Sequence, residues 1–270
     1  MSTGTQPNGS GPPKATAQGG KKEVKILMIH GYTQSGAVFR AKTRALEKMV
    51  AKALAPISLL PTLIYPTGPN RLRPQDIPGY QPPADGGQGG EDGDQEYDWW
   101  AWWRKDEASG EYRFFDEGMA TIADAIRDAG GVDGVLGFSQ GGAVAGVVAA
   151  ALESGRTPPE GPGGDWARKL REANDGRPLR FAVPYSGFYC PIDRLKWCYE
   201  PKIATPTLHV IGSLDTVVDE TRTQGLVDRC QNPLVVTHPG GHYVPVARDW
   251  VMPLAGFIKQ HAEEKPQAGL

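Results

Sequence analysis

Nucleophilic acyl transfer needs a serine, a base and a carboxylate, and this chain sets each in a setting that could supply it. The stretch VDGVLGFSQGGAVAG at 132–146 places Ser139 between Gly137 and Gly141 as G-x-S-x-G. Glycines at those two positions remove the Cβ atoms that would clash where a chain reverses sharply, so a strained serine can project its hydroxyl. That hydroxyl is a poor nucleophile at neutral pH; it needs a base to take its proton and a carboxylate to hold the base in one tautomer. Five histidines bound the search. His30 ends an apolar run, His209 lies inside another and His261 sits in the polar tail, so each reads more simply as structural. His238 and His242 remain, in THPGGHYVP. His242 is the better placed, because Gly240 and Gly241 let the loop bend its imidazole toward the serine; His238 stays the rival. For the carboxylate, GSLDTVVDE offers Asp215 and Asp219. Asp215 is preferred, since Asp219 reads as the cap of the next helix. The order Ser139, Asp215, His242 is that of α/β-hydrolases and differs from the two other well-known triad orders.

The elements that must position these residues are legible in the hydrophobic pattern. VKILMIH at 24–30 is near-continuously apolar, as a central strand covered on both faces must be. Residues 38–55 then carry apolar side chains at helical spacing, which makes the start of a βαβ unit. Residues 57–65 predict a second strand, at an edge or irregular because of Pro61. A helix over 116–129, stopped by Gly130, leads into the strand before Ser139, and the small residues of GGAVAGVVAAAL suit a helix lying close on a sheet. Further strands are expected at 179–185, 207–211 and 234–238, and a closing helix at 246–260, broken at Pro253. The sum is an α/β-hydrolase fold: a mostly parallel open sheet, helices on both faces, and one domain over residues 23–262. Residues 1–22 read as a disordered leader and 263–270 as a tail.

Residues 66–115 interrupt this plan as a lid-like insertion, dense in Pro and Gly to about residue 95. It ends in DWWAWWRKD, where Trp99, Trp100, Trp102 and Trp103 bring four of the seven tryptophans together. Such aromatic surface needs a partner. It can pack the insertion onto the core or line an acyl or aromatic substrate pocket. With 29 basic and 31 acidic residues the net charge is −2, which gives no global field to hold nucleic acid or an anionic membrane. Cys190, Cys198 and Cys230 are an odd number without metal or redox spacing, so free thiols in the cytoplasm are expected. No run of 18 apolar residues predicts a membrane span, and no ligand cluster predicts a metal or organic cofactor.

Six stretches, HGYTQSG at 30–36, DWW at 98–100, VDGVLGFSQGGA at 132–143, YSGF at 185–188, PTLHVIGSLDTVV at 206–218 and HPGGHYVP at 238–245, together resemble the FSH-type serine hydrolases. These are an α/β-hydrolase family prominent in fungi, with a human relative linked by name to ovarian cancer. The resemblance covers residues 24–260 and sets the family's nucleophile, acid and base on Ser139, Asp215 and His242. It implies a carboxylesterase, or a thioesterase releasing acyl or polyketide chains in fungal secondary metabolism from a carrier or synthase. Ser213-Leu214 departs from the polar pair common before the acid, a change expected to affect loop packing more than chemistry. The expected oxyanion donors are the backbone N–H groups of Tyr32 and Gln140. A non-catalytic small-molecule receptor on the same fold is the alternative.

Overall fold

The computed structural model describes residues 21–77 and 97–263. Residues 1–20 of the expected leader, most of the Pro/Gly-rich excursion and residues 264–270 of the tail lie outside the described residues; Lys22, placed in the leader by the sequence, opens the first strand, and Glu263, placed in the tail, closes the last helix. The sheet has six strands, β1 Lys22–Ile29, β2 Leu59–Ile64, β3 Gly134–Phe138, β4 Phe181–Tyr185, β5 Leu208–Gly212 and β6 Leu234–His238, in the order β6-β5-β4-β3-β1-β2. Every pairing in it is parallel. Pro61 is accommodated because β2 is an edge strand, where a missing donor can face outward. The strand order reverses between β1 and β3, so the loops leaving their carboxyl ends diverge and open a crevice there.

Side-chain alternation divides the core into two layers. Val24, Ile26 and Met28 of β1 face α1 (Gly36–Leu54) and α6 (Arg248–Glu263), while Leu27 and Ile29 face α2 (Phe115–Asp128), α3 (Gln140–Leu152) and α4 (Pro162–Ala173). Phe39, Leu46, Val50 and Leu54 recur at helical spacing on α1 and are all buried. Each contributes about 1.5–3 kcal/mol by leaving water. Ser35 caps α1, its hydroxyl accepting from the Val38 N–H at 3.2 Å. All 13 residues of α3 are buried, so a helix built from Ala, Gly and Val is the one that fits: a Cβ on Gly142 would lie 2.7 Å from the Gly187 Cα.

One expectation fails here. Helix α6 runs unbroken through Pro253. Pro253 is the sixth residue of the helix, so it removes one i→i−4 bond, to the Asp249 carbonyl, and burial of Val251, Leu254, Phe257 and Ile258 against the sheet holds the segment together despite that loss. In the insertion, the described flanks pair as two short ribbons, Asn70–Arg71 with Trp100–Ala101 and Arg104–Lys105 with Tyr112–Arg113.

Candidate active site

Ser139 sits between β3 and α3 with φ 55° and ψ −117°, a conformation costing about 1–3 kcal/mol for a residue with a side chain. Its surroundings enforce it. The Ser139 N–H donates to the Tyr185 carbonyl at 2.8 Å and its carbonyl accepts from Ala143 at 3.1 Å. A Cβ on Gly137 would overlap the Gly141 carbonyl, and one on Gly141 would overlap the Ile29 carbonyl. The two motif glycines are therefore needed for close approach of backbone to backbone, and the hydroxyl is left standing at the carboxyl edge of the sheet.

His242 Nε2 lies 2.9 Å from Ser139 Oγ, and His242 Nδ1 lies 2.7 Å from Asp215 Oδ2. The carboxylate fixes the tautomer: Nδ1–H donates to Asp215, leaving Nε2 free to accept from the serine. Asp215 Oδ1 accepts from the N–H groups of Val217 at 3.0 Å and Val218 at 2.9 Å. Burial pushes the Asp215 carboxyl up, but the His242 hydrogen bond, the Val218 N–H and the Ser186 hydroxyl together outweigh it and hold the group below its ordinary range. The Phe138 ring packs on the imidazole with centroids 4.7 Å apart.

The rival residues fall elsewhere. Asp219 caps α5 (Glu220–Val227), accepting from the Arg222 N–H at 3.0 Å. His238 is buried with its ring against Tyr243 and Trp250, and neither ring nitrogen has a partner among the described residues. His30 and His209 are buried, and desolvation drives both down to about 4. The chain bends through residues 239–243, Gly240 and Gly241 included, and the Tyr243 N–H donates to the Gly241 carbonyl at 3.1 Å; the same two glycines also join the acid and histidine loops. The acid loop docks on them: Leu214 N–H donates to the Gly240 carbonyl at 3.0 Å, and a Cβ on Gly212 would lie 2.5 Å from the carbonyl oxygens of both.

The Tyr32 and Gln140 N–H groups have no intramolecular acceptor among the described residues, and Gln140 opens the first turn of α3, where donors are unpaired and the helix dipole favours an anion. The tryptophans divide. Trp102 and Trp103 are buried in the core, Trp103 stacked on Tyr112 with centroids 4.8 Å apart, whereas Trp99 and Trp100 are half-buried. The first two therefore present no solvent-open wall to a substrate. Two contributions escape a reading by motif: the Ser186 hydroxyl on Asp215, and the Gln140 side chain, which bonds the backbone of Trp102 and Trp103. Only the position of YSGF at a strand end signals the first; nothing local signals the second. No group of His, Cys, Asp or Glu able to hold a metal occurs among the described residues.

Esterase OVCA2 of Bos taurus is 31% identical over 244 residues, covering 89% of this chain and 97% of the relative. A Schizosaccharomyces pombe protein named Dihydrofolate reductase is 31% identical over 228 residues, 83% of this chain, but the match spans only 44% of that protein's length. Acyl-protein thioesterase 2 of Zea mays shares the fold, with a TM-score of 0.52 at 18% identity over 90% of this chain and 95% of that one. The serine hydrolase (FSH1) profile matches residues 20–254, a span holding the serine turn, the acid loop and the histidine loop, so the chain belongs to the FSH1 serine hydrolase family.

Proposed function

We propose that the enzyme cleaves carboxylic esters or thioesters through an acyl-enzyme on Ser139, with His242 as general base and acid and Asp215 as the carboxylate that orients it. The supporting observation is the unbroken contact series from Ser139 Oγ to His242 Nε2 at 2.9 Å and from His242 Nδ1 to Asp215 Oδ2 at 2.7 Å. As Ser139 Oγ attacks the carbonyl carbon, its proton passes to Nε2, and the carbonyl oxygen becomes an oxyanion facing the Tyr32 and Gln140 N–H groups. Collapse of the tetrahedral intermediate breaks the bond to the leaving oxygen or sulfur, which takes the proton from His242. Water then attacks the acyl-enzyme, gives its proton to the same nitrogen, and Ser139 leaves with it as the carboxylic acid is released. Each oxyanion donor in such a site is worth about 10² to 10³ in turnover.

Two acyl donors fit this chemistry, a free ester and a thioester presented by an acyl carrier or synthase; the latter would include release of a polyketide chain in fungal secondary metabolism. A cytoplasmic setting accords with Cys190, Cys198 and Cys230, which are free and buried. Among the described residues no helix is long and apolar enough to cross a membrane. The test is fluorophosphonate labelling of wild type and Ser139→Ala, together with matched esters and thioesters graded by chain length. Labelling is expected in wild type only. Labelling that survives Ser139→Ala refutes the nucleophile, and the ratio of thioester to ester kcat/KM decides the acyl donor.

A further inference from the structure

We infer that the Gln140 side chain and the Trp102 indole are positioning groups that set the spacing of the two oxyanion donors, an inference that rests on the acyl-enzyme reading above. The donors come from separate loops, Tyr32 after β1 and Gln140 after β3, and a single ribbon, Trp100 to Trp103, grips both. On one side, Gln140 Oε1 accepts from the Trp102 N–H at 2.8 Å and Gln140 Nε2 donates to the Trp103 carbonyl at 3.0 Å. The residue whose backbone N–H faces the oxyanion thus uses its own side-chain amide to hold the ribbon. Its side chain is buried, so neither bond is exchanged for water.

On the other side the ribbon takes hold of the β1 loop on both flanks of Tyr32. The Trp102 indole Nε1–H donates to the His30 carbonyl at 2.9 Å, two residues before Tyr32. The Trp100 carbonyl accepts from the Thr33 N–H at 3.0 Å, one residue after it. The His30 ring lies against Trp102 with centroids 4.8 Å apart and is itself pinned, its Nε2 accepting from the Gly68 N–H at 2.9 Å and its Nδ1–H donating to the Gly31 carbonyl at 2.8 Å. Burial keeps that imidazole neutral, as a ring that accepts at one nitrogen and donates at the other must be. Trp102 is wholly buried. A series therefore runs from the Gln140 amide through the Trp102 backbone and indole to the His30 carbonyl and Tyr32, every step a hydrogen bond between buried groups or a covalent link. Catalysis needs the two N–H groups placed for the tetrahedral oxyanion and not for the planar carbonyl, so loosening this strut should weaken the transition state more than the bound substrate.

The variants are Gln140→Met, which keeps the backbone donor and the side-chain length but removes both amide bonds, and Trp102→Phe, which keeps a buried ring but removes the indole donor. Both are titrated with fluorophosphonate so that kcat refers to competent Ser139. The expected result is a fall in kcat of about 10- to 100-fold in Gln140→Met and a smaller fall in Trp102→Phe, with KM within about threefold. The inhibition constant of a trifluoromethyl ketone, whose adduct carries the oxyanion, should rise by the factor by which kcat/KM falls. Because both residues act through one ribbon, the double variant should lose less than the product of the single losses. A merely structural role would lower the titrated fraction and leave kcat per competent site and the ketone's inhibition constant unmoved; that result overturns the inference. If Gln140→Met does not fold, Trp102→Phe decides by the same comparison. Ser139→Ala, run alongside, separates the two readings: turnover surviving it refutes the acyl-enzyme, whereas turnover lost there but kept at the wild-type rate in both other variants refutes only the strut.

Discussion

Asp215→Asn should lower kcat by about 10⁴, and the hydrogen bonds around the carboxylate say why. Oδ1 accepts from two backbone N–H groups, Val217 at 3.0 Å and Val218 at 2.9 Å, while Oδ2 meets His242 Nδ1 at 2.7 Å. An asparagine of the same shape must place its carbonyl oxygen on the side of the two N–H donors. The reverse orientation would set its NH₂ against them and leave donors unpaired, at about 1–3 kcal/mol each. The NH₂ then faces Nδ1, which must accept, so the imidazole proton moves to Nε2 and points at Ser139 Oγ. A nitrogen that already carries a proton cannot take the serine's. The expected loss corresponds to about 5.4 kcal/mol of transition-state stabilisation. The assay is ester turnover per fluorophosphonate-titrated site, with Asp219→Asn as the control. Asn caps a helix about as well as Asp, so the control should fold and turn over like wild type. A loss of less than tenfold in Asp215→Asn, or an equal loss in Asp219→Asn, would refute the assignment of the acid.

Gly212→Ala should lower kcat by at least about 10² and reduce thermal stability, because its Cβ would lie 2.5 Å from the Gly240 and Gly241 carbonyl oxygens and push the His242 loop off the acid loop; unchanged turnover in a folded variant would show that the loops do not depend on that contact. Stability should also fall with acid. His30 and His209 are lowered by burial from 6.5 to about 4, so between those values the unfolded chain binds protons that the folded chain refuses. Their contribution is complete above about pH 6.5 and declines as pH falls toward 4, by about 3 kcal/mol for each histidine. Urea denaturation at pH 7 and pH 4.5 should show this decline, and His209→Leu should flatten it; a slope unchanged by the substitution would mean that His209 titrates normally in the folded state.

The parts of the site that follow from chain-local chemistry were legible in the sequence, and those that depend on contact between distant loops were not. G-x-S-x-G announces itself because the glycines that crowd Ser139 lie two residues from it. Asp215 and His242 can be found because an open parallel sheet delivers its functional loops to one edge, and the strands ending at Gly212 and His238 were visible as apolar runs. Pro253 misled because its cost is offset by the burial of its neighbours, which a residue preference does not contain. Gly240 and Gly241 pointed to the right loop, which does bend there; what the sequence could not show is that their carbonyls are also the surface on which the acid loop docks.

The tryptophans carry the more general lesson about what a cluster of large side chains means beside an active site. Read by composition, DWWAWW invites a pocket, since aromatic surface near a nucleophile suggests apolar substrate. In the fold the same segment is a ribbon whose Trp102 and Trp103 rings face inward, and whose backbone is held by Gln140. The indole supplies what a phenyl or aliphatic side chain of similar bulk would not, a buried donor able to reach the His30 carbonyl. If the Tyr32 and Gln140 N–H groups hold the oxyanion as proposed, two donors from separate loops must keep a fixed distance, and a rigid buried ring with one polar atom is a physically economical way to join them. On that inference the Trp102 position is constrained by the geometry of the transition state, whereas Trp99 and Trp100 sit half-buried on the same ribbon, Trp99 stacked on Tyr97 and the Trp100 indole donating to Asp98.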